Sequence, residues 1–125
     1  MRKIKFRAWN EGLNKMEHDI FPISFVEYYI IDTKYNVVLK RRNGIIQQFT
    51  GLTDKNGKGK EVYEGDLIRA LPNGYEPREI LEVYWSDSDF CWRVRGEKID
   101  SFLMTQDRNF EVIGNIYETP ELLEK

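Results

Sequence analysis

The amino-acid sequence predicts a mainly β protein, an antiparallel small barrel or roll with an N-terminal β meander and a short helical turn at its C-terminal end. Three observations carry this expectation. Apolar and polar residues alternate with the period of two that a half-buried strand requires: in residues 2–9, RKIKFRAW, Ile4, Phe6 and Ala8 fall on one side and Lys3, Lys5 and Arg7 on the other. Short runs rich in β-branched and aromatic residues recur at intervals of roughly ten residues. Clusters of Asn, Asp and Gly separate those runs with hairpin chemistry, because Asn and Gly tolerate positive φ and Asp can hydrogen-bond the backbone two residues on.

In chain order, residues 2–9 form the first strand, which Trp9 closes. Residues 10–14 turn, and residues 15–18 pair back as a short second strand. Residues 19–27 are ambiguous, and Phe21-Pro22 argues against a central strand there, since proline has no N–H to give to a ladder. Residues 26–31 read as a strand, 32–36 as a turn and 37–40 as a second run, and Arg42-Asn43-Gly44 turns into a third at 45–49. A helix over residues 24–32 competes with this meander, but the Tyr28-Tyr29-Ile30-Ile31 run favours a strand.

The centre of the chain is residues 47–70, QQFTGLTDKNGKGKEVYEGDLIRA. Asp54-Lys55-Asn56-Gly57 has the chemistry of a hairpin turn and Gly65-Asp66 that of a tight turn, after which Leu67 and Ile68 begin a strand that Pro72-Asn73-Gly74 ends. Such a glycine-rich loop can cradle a phosphate, but there is no GxxxxGK[ST] and no strand-to-helix context, so a plain turn is expected. Asp66 reads as a turn former that caps local N–H groups rather than as part of an acid–base cluster with Glu61 and Glu64. Residues 79–95 are the clearest hairpin, turning at Ser86-Asp87-Ser88-Asp89. Gly96-Glu97 breaks it, residues 98–104 add an apolar segment, and Asp107-Arg108-Asn109 leads into a strand over 110–117. Thr119 is expected to cap a terminal helical turn with Pro120 at its first position. The organisation expected is residues 1–60 as strands and meander and residues 61–125 as a barrel portion, or both as one continuous domain.

Composition narrows the class. With 125 residues, 41% hydrophobic and 14% aromatic, the chain can bury enough surface to fold without staples, which excludes disorder of the whole. Its one cysteine, Cys91, makes no internal disulfide, no charged-then-apolar leader starts the chain, and no apolar run approaches membrane-spanning length, so a cytoplasmic setting is expected. The net charge of −2 conceals a polarity: residues 1–60 hold 12 Lys/Arg against 6 Asp/Glu, and residues 61–125 hold 7 against 15. That polarity can steer a nucleic acid to one face or let two copies meet head to tail; halves that neutralise one another across the fold give the same count.

No convergent catalytic set is visible. His18 sits near a turn, Cys91 alternates within a strand between Phe90 and Trp92, and one Cys with one His cannot fill a zinc site without borrowed carboxylates. Asp87-Ser88-Asp89 lacks the glycine and distal glutamate of a calcium loop. No catalytic residue, metal site or cofactor is assigned, and the chain is expected not to be an enzyme. The candidate site residues are nucleic-acid contacts, Arg7, Lys40, Arg41 and Arg42, with Trp9, Tyr28, Tyr29, Tyr35, Trp85 and Trp92 as candidate stacking rings. A pI near 5.5 and the acidic C-terminal half oppose phosphate. The leading expectation is a non-catalytic module that binds protein, itself or a partner, through the strand edges a small open sheet leaves available.

Four segments in order, KFRAW at residues 5–9, FTGLTDKNGK at 49–58, VYEGDLI at 62–68 and VIGNIYETPELLE at 112–124, resemble the YopX family of small proteins encoded by phages and prophages. The resemblance is loose between Gly12 and Gln48 and between Leu71 and Asp107. Asn10 stands where the family usually has Asp, and two residues are added around Gly59-Lys60. The resemblance implies a mainly β fold whose C-terminal part is an SH3-type barrel beginning near Tyr63-Glu64-Gly65-Asp66. It also implies a life inside an infected or lysogenic bacterium, and in that setting the partner expected for the binding module, when not a second copy, is a phage or host protein. It implies no reaction.

Overall fold

The structure, a computed structural model, describes residues 3–54, 59–70, 79–103 and 110–123. Those residues form antiparallel strands and one 3-10 turn, and their close contacts divide the chain into two compact units, Met1–Phe49 and Thr50–Lys125.

In the first unit, β1 (Phe6–Asn10) pairs with β2 (Lys15–His18) on one side and with the first half of β6 (Gly44–Thr53) on the other. A second sheet runs in the order β3-β4-β5, formed by Phe21–Pro22, Tyr28–Asp32 and Val37–Arg41. The hairpin of the first two meander runs forms as expected, and the competing helix over 24–32 does not, but the third run leaves the meander: it lies in β6 and pairs with β1 rather than with β5. Asn supplies the left-handed backbone that the turns need at Asn14, Asn36 and Asn43, with φ of 50°, 54° and 60°. In the turn before β5, the Asp32 carboxylate accepts the Lys34 and Tyr35 N–H groups. Pro22 sits on β3, an edge strand, where its missing N–H costs no ladder bond. The core of this unit is Ala8, Ile20 and Tyr28 with Phe6, Ile30 and Ile46 packed against them.

The second unit begins with the last residues of β6, which continue to β7 (Glu61–Tyr63); the Thr50 hydroxyl donates to the Val62 carbonyl at 2.8 Å. A five-stranded antiparallel sheet follows in the order β11-β10-β9-β8-β12, curled into a half-barrel, from β8 (Asp66–Ala70), β9 (Ile80–Ser86), β10 (Cys91–Arg95), β11 (Asp100–Phe102) and β12 (Phe110–Asn115). Val62, Ile68, Leu81, Val83, Val94, Leu103 and Phe110 fill its core, each contributing roughly 2 kcal/mol by leaving water. The turn between β7 and β8 needs Gly65, whose φ of 87° is closed to most side chains. Gly65 N–H donates to Val83 O at 2.8 Å and its carbonyl accepts from Ile116 N–H at 3.0 Å, so one glycine ties three segments. As expected, the Asp66 carboxylate caps this turn by accepting the Tyr63 N–H at 2.7 Å.

β12 is irregular between Val112 and Gly114 and ends in the 3-10 turn Pro120–Leu123, with Pro120 at its first position. The Thr119 side chain, however, turns backward. Its hydroxyl donates to Asn115 O and accepts from Asn115 N–H, both at 3.0 Å, so it closes the strand end rather than capping the helical turn. The strand terminator Pro72-Asn73-Gly74 and most of the Asp54–Gly57 turn lie outside the described residues. No helix among the described residues is long and apolar enough to cross a membrane.

Candidate interaction surface

Strand alternation sorts the residues of the β3-β4-β5 sheet onto two faces. Tyr28, Ile30, Leu39 and Arg41 point one way, and Tyr29, Ile31, Val38 and Lys40 the other, because directly opposed residues in an antiparallel pair share a face. On the second face Phe21 stands opposite Tyr29, and Ile31 opposite Val38. These four large apolar side chains remain 57%, 41%, 49% and 64% exposed. Adjoining rows of exposed rings and branched chains make a contiguous apolar patch, an uncommon feature for a surface facing only water.

The inward face holds a buried polar network. Glu17 on β2 is buried and accepts a 2.7 Å bond from the Tyr28 hydroxyl and a 3.1 Å bond from Arg41 Nε. Asn10 Nδ2 donates to the Tyr28 hydroxyl oxygen at 3.1 Å and to Arg42 O at 3.0 Å. Burial, together with the bond to the Glu17 carboxylate, pushes the Tyr28 hydroxyl up from 10.0 to about 12. A groove of about 240 Å³ opens beside this network, with Lys15, Glu17, Asp32 and Arg41 among its walls. Glu17 and Arg41 are already committed to one another there, so the network reads as structural.

The four candidate nucleic-acid contacts do not form one basic surface. Arg7 is buried, with its Nε donating to Gln47 Oε1 at 2.7 Å across the β1–β6 pair. Arg41 belongs to the Glu17 network. Lys40 and Arg42 lie at 3.6 and 4.0 Å from the same carboxylate, Glu27. His18 is exposed at the end of β2 in the first unit, and Cys91 is half-buried on β10 in the second. No group of three or more His, Cys, Asp or Glu among the described residues is placed to hold a metal ion.

In the second unit the outward face of β9–β11 is a locked polar surface. Arg93 donates to Tyr84 Oη, to Asp89 and to Asp100, while its guanidinium lies over the Phe102 ring at 4.6 Å. Tyr84 and Arg93 hold the Asp100 carboxyl below its ordinary range. Beyond this cluster, the β9–β10 hairpin ends in Phe90, which has φ of 53° and is 79% exposed. That backbone costs a bulky L-residue roughly 1–2 kcal/mol relative to glycine.

The model of the YopX protein family matches residues 5–124 of the chain. The chain belongs to the YopX family. Its fold is similar to that of protein EF1440 from Enterococcus faecalis, with 27% identity and a TM-score of 0.68 over 99% of this chain and 100% of that one. It is similar to that of YopX from Bacillus subtilis at the same TM-score and coverage and 21% identity. No curated protein matches it.

The YopX segments supply joints. Asp54, within FTGLTDKNGK, is buried and accepts Lys60 N–H at 2.7 Å with one oxygen and Val112 N–H at 2.8 Å with the other. Gly65 and Asp66, within VYEGDLI, make the turn described above. Asn10, where the YopX family usually has Asp, uses both amide donors, a task a carboxylate cannot perform. Sequence reasoning missed the exposed face as a site, although the unbroken apolar runs at 28–31 and 37–39, which put apolar side chains on both faces of a strand, contained its signal.

Proposed function

We propose that the protein is a non-catalytic interaction module that binds protein through the outward face of β3-β4-β5. The observation that carries this reading is the contiguous patch of Phe21, Tyr29, Ile31 and Val38, exposed while the reverse of the same sheet is packed. β5 borders the sheet as an edge strand, which adds a row of backbone donors and acceptors to the patch. The setting we assign is the cytoplasm of a bacterium carrying a phage or prophage, which rests on the family resemblance; induction of the prophage should raise the transcript. The test of the surface is a Val38→Asp variant compared with the unaltered protein for solution mass and for capture of proteins from cells of the bacterial host. Loss of self-association or of a captured partner, with the circular dichroism spectrum unchanged, supports the reading. Unchanged association and capture would remove it, and a high 260/280 nm absorbance ratio abolished by Lys40→Glu with Arg42→Glu would favour nucleic acid instead.

A further inference from the structure

Resting on the reading above, we infer that the face of β3-β4-β5 receives a second copy of this chain, and that the element it receives is the acidic, aromatic tip of the partner copy's β9–β10 hairpin. Two observations point to this occupant. The first is charge. Lys40 and Arg42, beside the apolar patch, share the single carboxylate of Glu27, so a positive charge remains uncompensated there. At the tip, Asp89 shares Arg93 with Asp100, and Asp87 has no ion pair among the described residues, so negative charge remains. The two surfaces are therefore complementary to one another and each repels itself.

The second observation is the apolar group. Phe90 projects at the tip in a backbone conformation that Asn or Gly would adopt more readily, and its side chain gains little burial in return. The tip is nevertheless held: Phe90 N–H donates to Ser86 O at 2.9 Å, and Ser86 Oγ accepts the Asp89 N–H at 3.2 Å. A rigid, exposed aromatic loses little entropy when it docks, and an exposed patch of Tyr29, Ile31 and Val38 offers it a matching apolar seat. The resulting contact joins two different surfaces, so each copy offers one tip and one face to its neighbours.

The test uses the full chain in sedimentation velocity over a wide concentration range at low and high salt. The unaltered protein should gain mass with concentration and lose it with salt. Lys40→Glu, Asp87→Lys and Phe90→Asn should each weaken association by at least about tenfold. An equimolar mixture of Lys40→Glu and Asp87→Lys should associate more strongly than either alone, because the intact tip of the first meets the intact face of the second and the two reversed charges also match. A contact of face with face or of tip with tip cannot give that result. A monomeric unaltered protein, variants that associate undiminished, or a mixture that associates no more strongly than either variant alone each overturns the second-copy inference. The broader reading fails separately, when Val38→Asp also leaves partner capture unchanged.

Discussion

Removing the carboxylate of Asp54 should unlatch the second unit. Its two oxygens accept backbone N–H groups from Lys60 and from Val112, the latter 58 residues away. A hydrogen bond to a charged acceptor contributes roughly 1.5–3 kcal/mol, and an amide left without a partner costs about as much. Water can replace the carboxylate at Lys60, which is exposed, but less readily at half-buried Val112. Asp54→Ala should therefore cost about 3 kcal/mol, which at a urea slope of about 1.5 kcal/mol/M lowers the midpoint by about 2 M. Asp54→Asn keeps one acceptor and turns its NH2 toward the other amide, so about half that loss is expected. Gly59→Ala reaches the same latch from the other side, since a Cβ there would overlap the Asp54 carboxylate. The assay is urea unfolding followed by the fluorescence of Trp85 and Trp92, both on the sheet of this unit, with amide exchange at Val112 as the local readout. A midpoint shift for Asp54→Ala below about 0.3 M, or undiminished protection of Val112, would refute the latch.

The other predictions concern single groups. Asn10→Asp should destabilise the first unit by about 2 kcal/mol, read as a lowered urea midpoint by Trp9 fluorescence, because Tyr28 Oη and Arg42 O lose their donor and a second carboxylate joins Glu17. Tyr28 is neutral in the folded protein up to about pH 12 and ionises near 10.0 when unfolded, so its contribution is complete below pH 10 and falls as the pH rises from there toward 12. Spectrophotometric titration should show a late-titrating tyrosine that Tyr28→Phe removes. Phe90→Asn should stabilise the second unit by about 1 kcal/mol, read as a raised urea midpoint, while weakening self-association by at least about tenfold. A variant that lost both stability and association would instead mean that Phe90 holds the hairpin together.

Much of the fold was legible because its signals are local. Period-two alternation marks β1 and β9, the aromatic and β-branched run of residues 28–31 marks β4, and Asn at positions 14, 36 and 43 stands where the backbone must take positive φ. What escaped the sequence are relationships between distant residues. Arg7 alternates as an outward residue of a half-buried strand, yet β1 lies between two neighbours and Gln47 of β6 binds its guanidinium. Arg41 looks like part of a basic run, but the opposite faces of β5 send it to Glu17 and Lys40 toward Glu27. The change of unit falls inside β6, where continuous strand chemistry gives no turn to announce it. Phe90 escaped for the opposite reason, since its residue type argues against the conformation it adopts.

The division between joints and surfaces bears on what this family's sequence pattern specifies. Asp54, Gly65, Asp66 and Thr119 belong to the segments that carry the YopX resemblance, and each spends its polar groups on backbone elsewhere in the chain. Such residues define a scaffold, and a scaffold is compatible with many functions. The residues assigned here to binding, Phe21, Tyr29, Ile31 and Val38 on the sheet and Asp87 and Phe90 at the hairpin tip, all lie between residues 12 and 48 or between 71 and 107, where the resemblance is loose. A family member keeping the joints but presenting charged groups at those six positions should fold in the same way and fail to join this chain. Mixed-mass measurements between two such proteins test that: a stable mixed complex would place the contact elsewhere than on these surfaces.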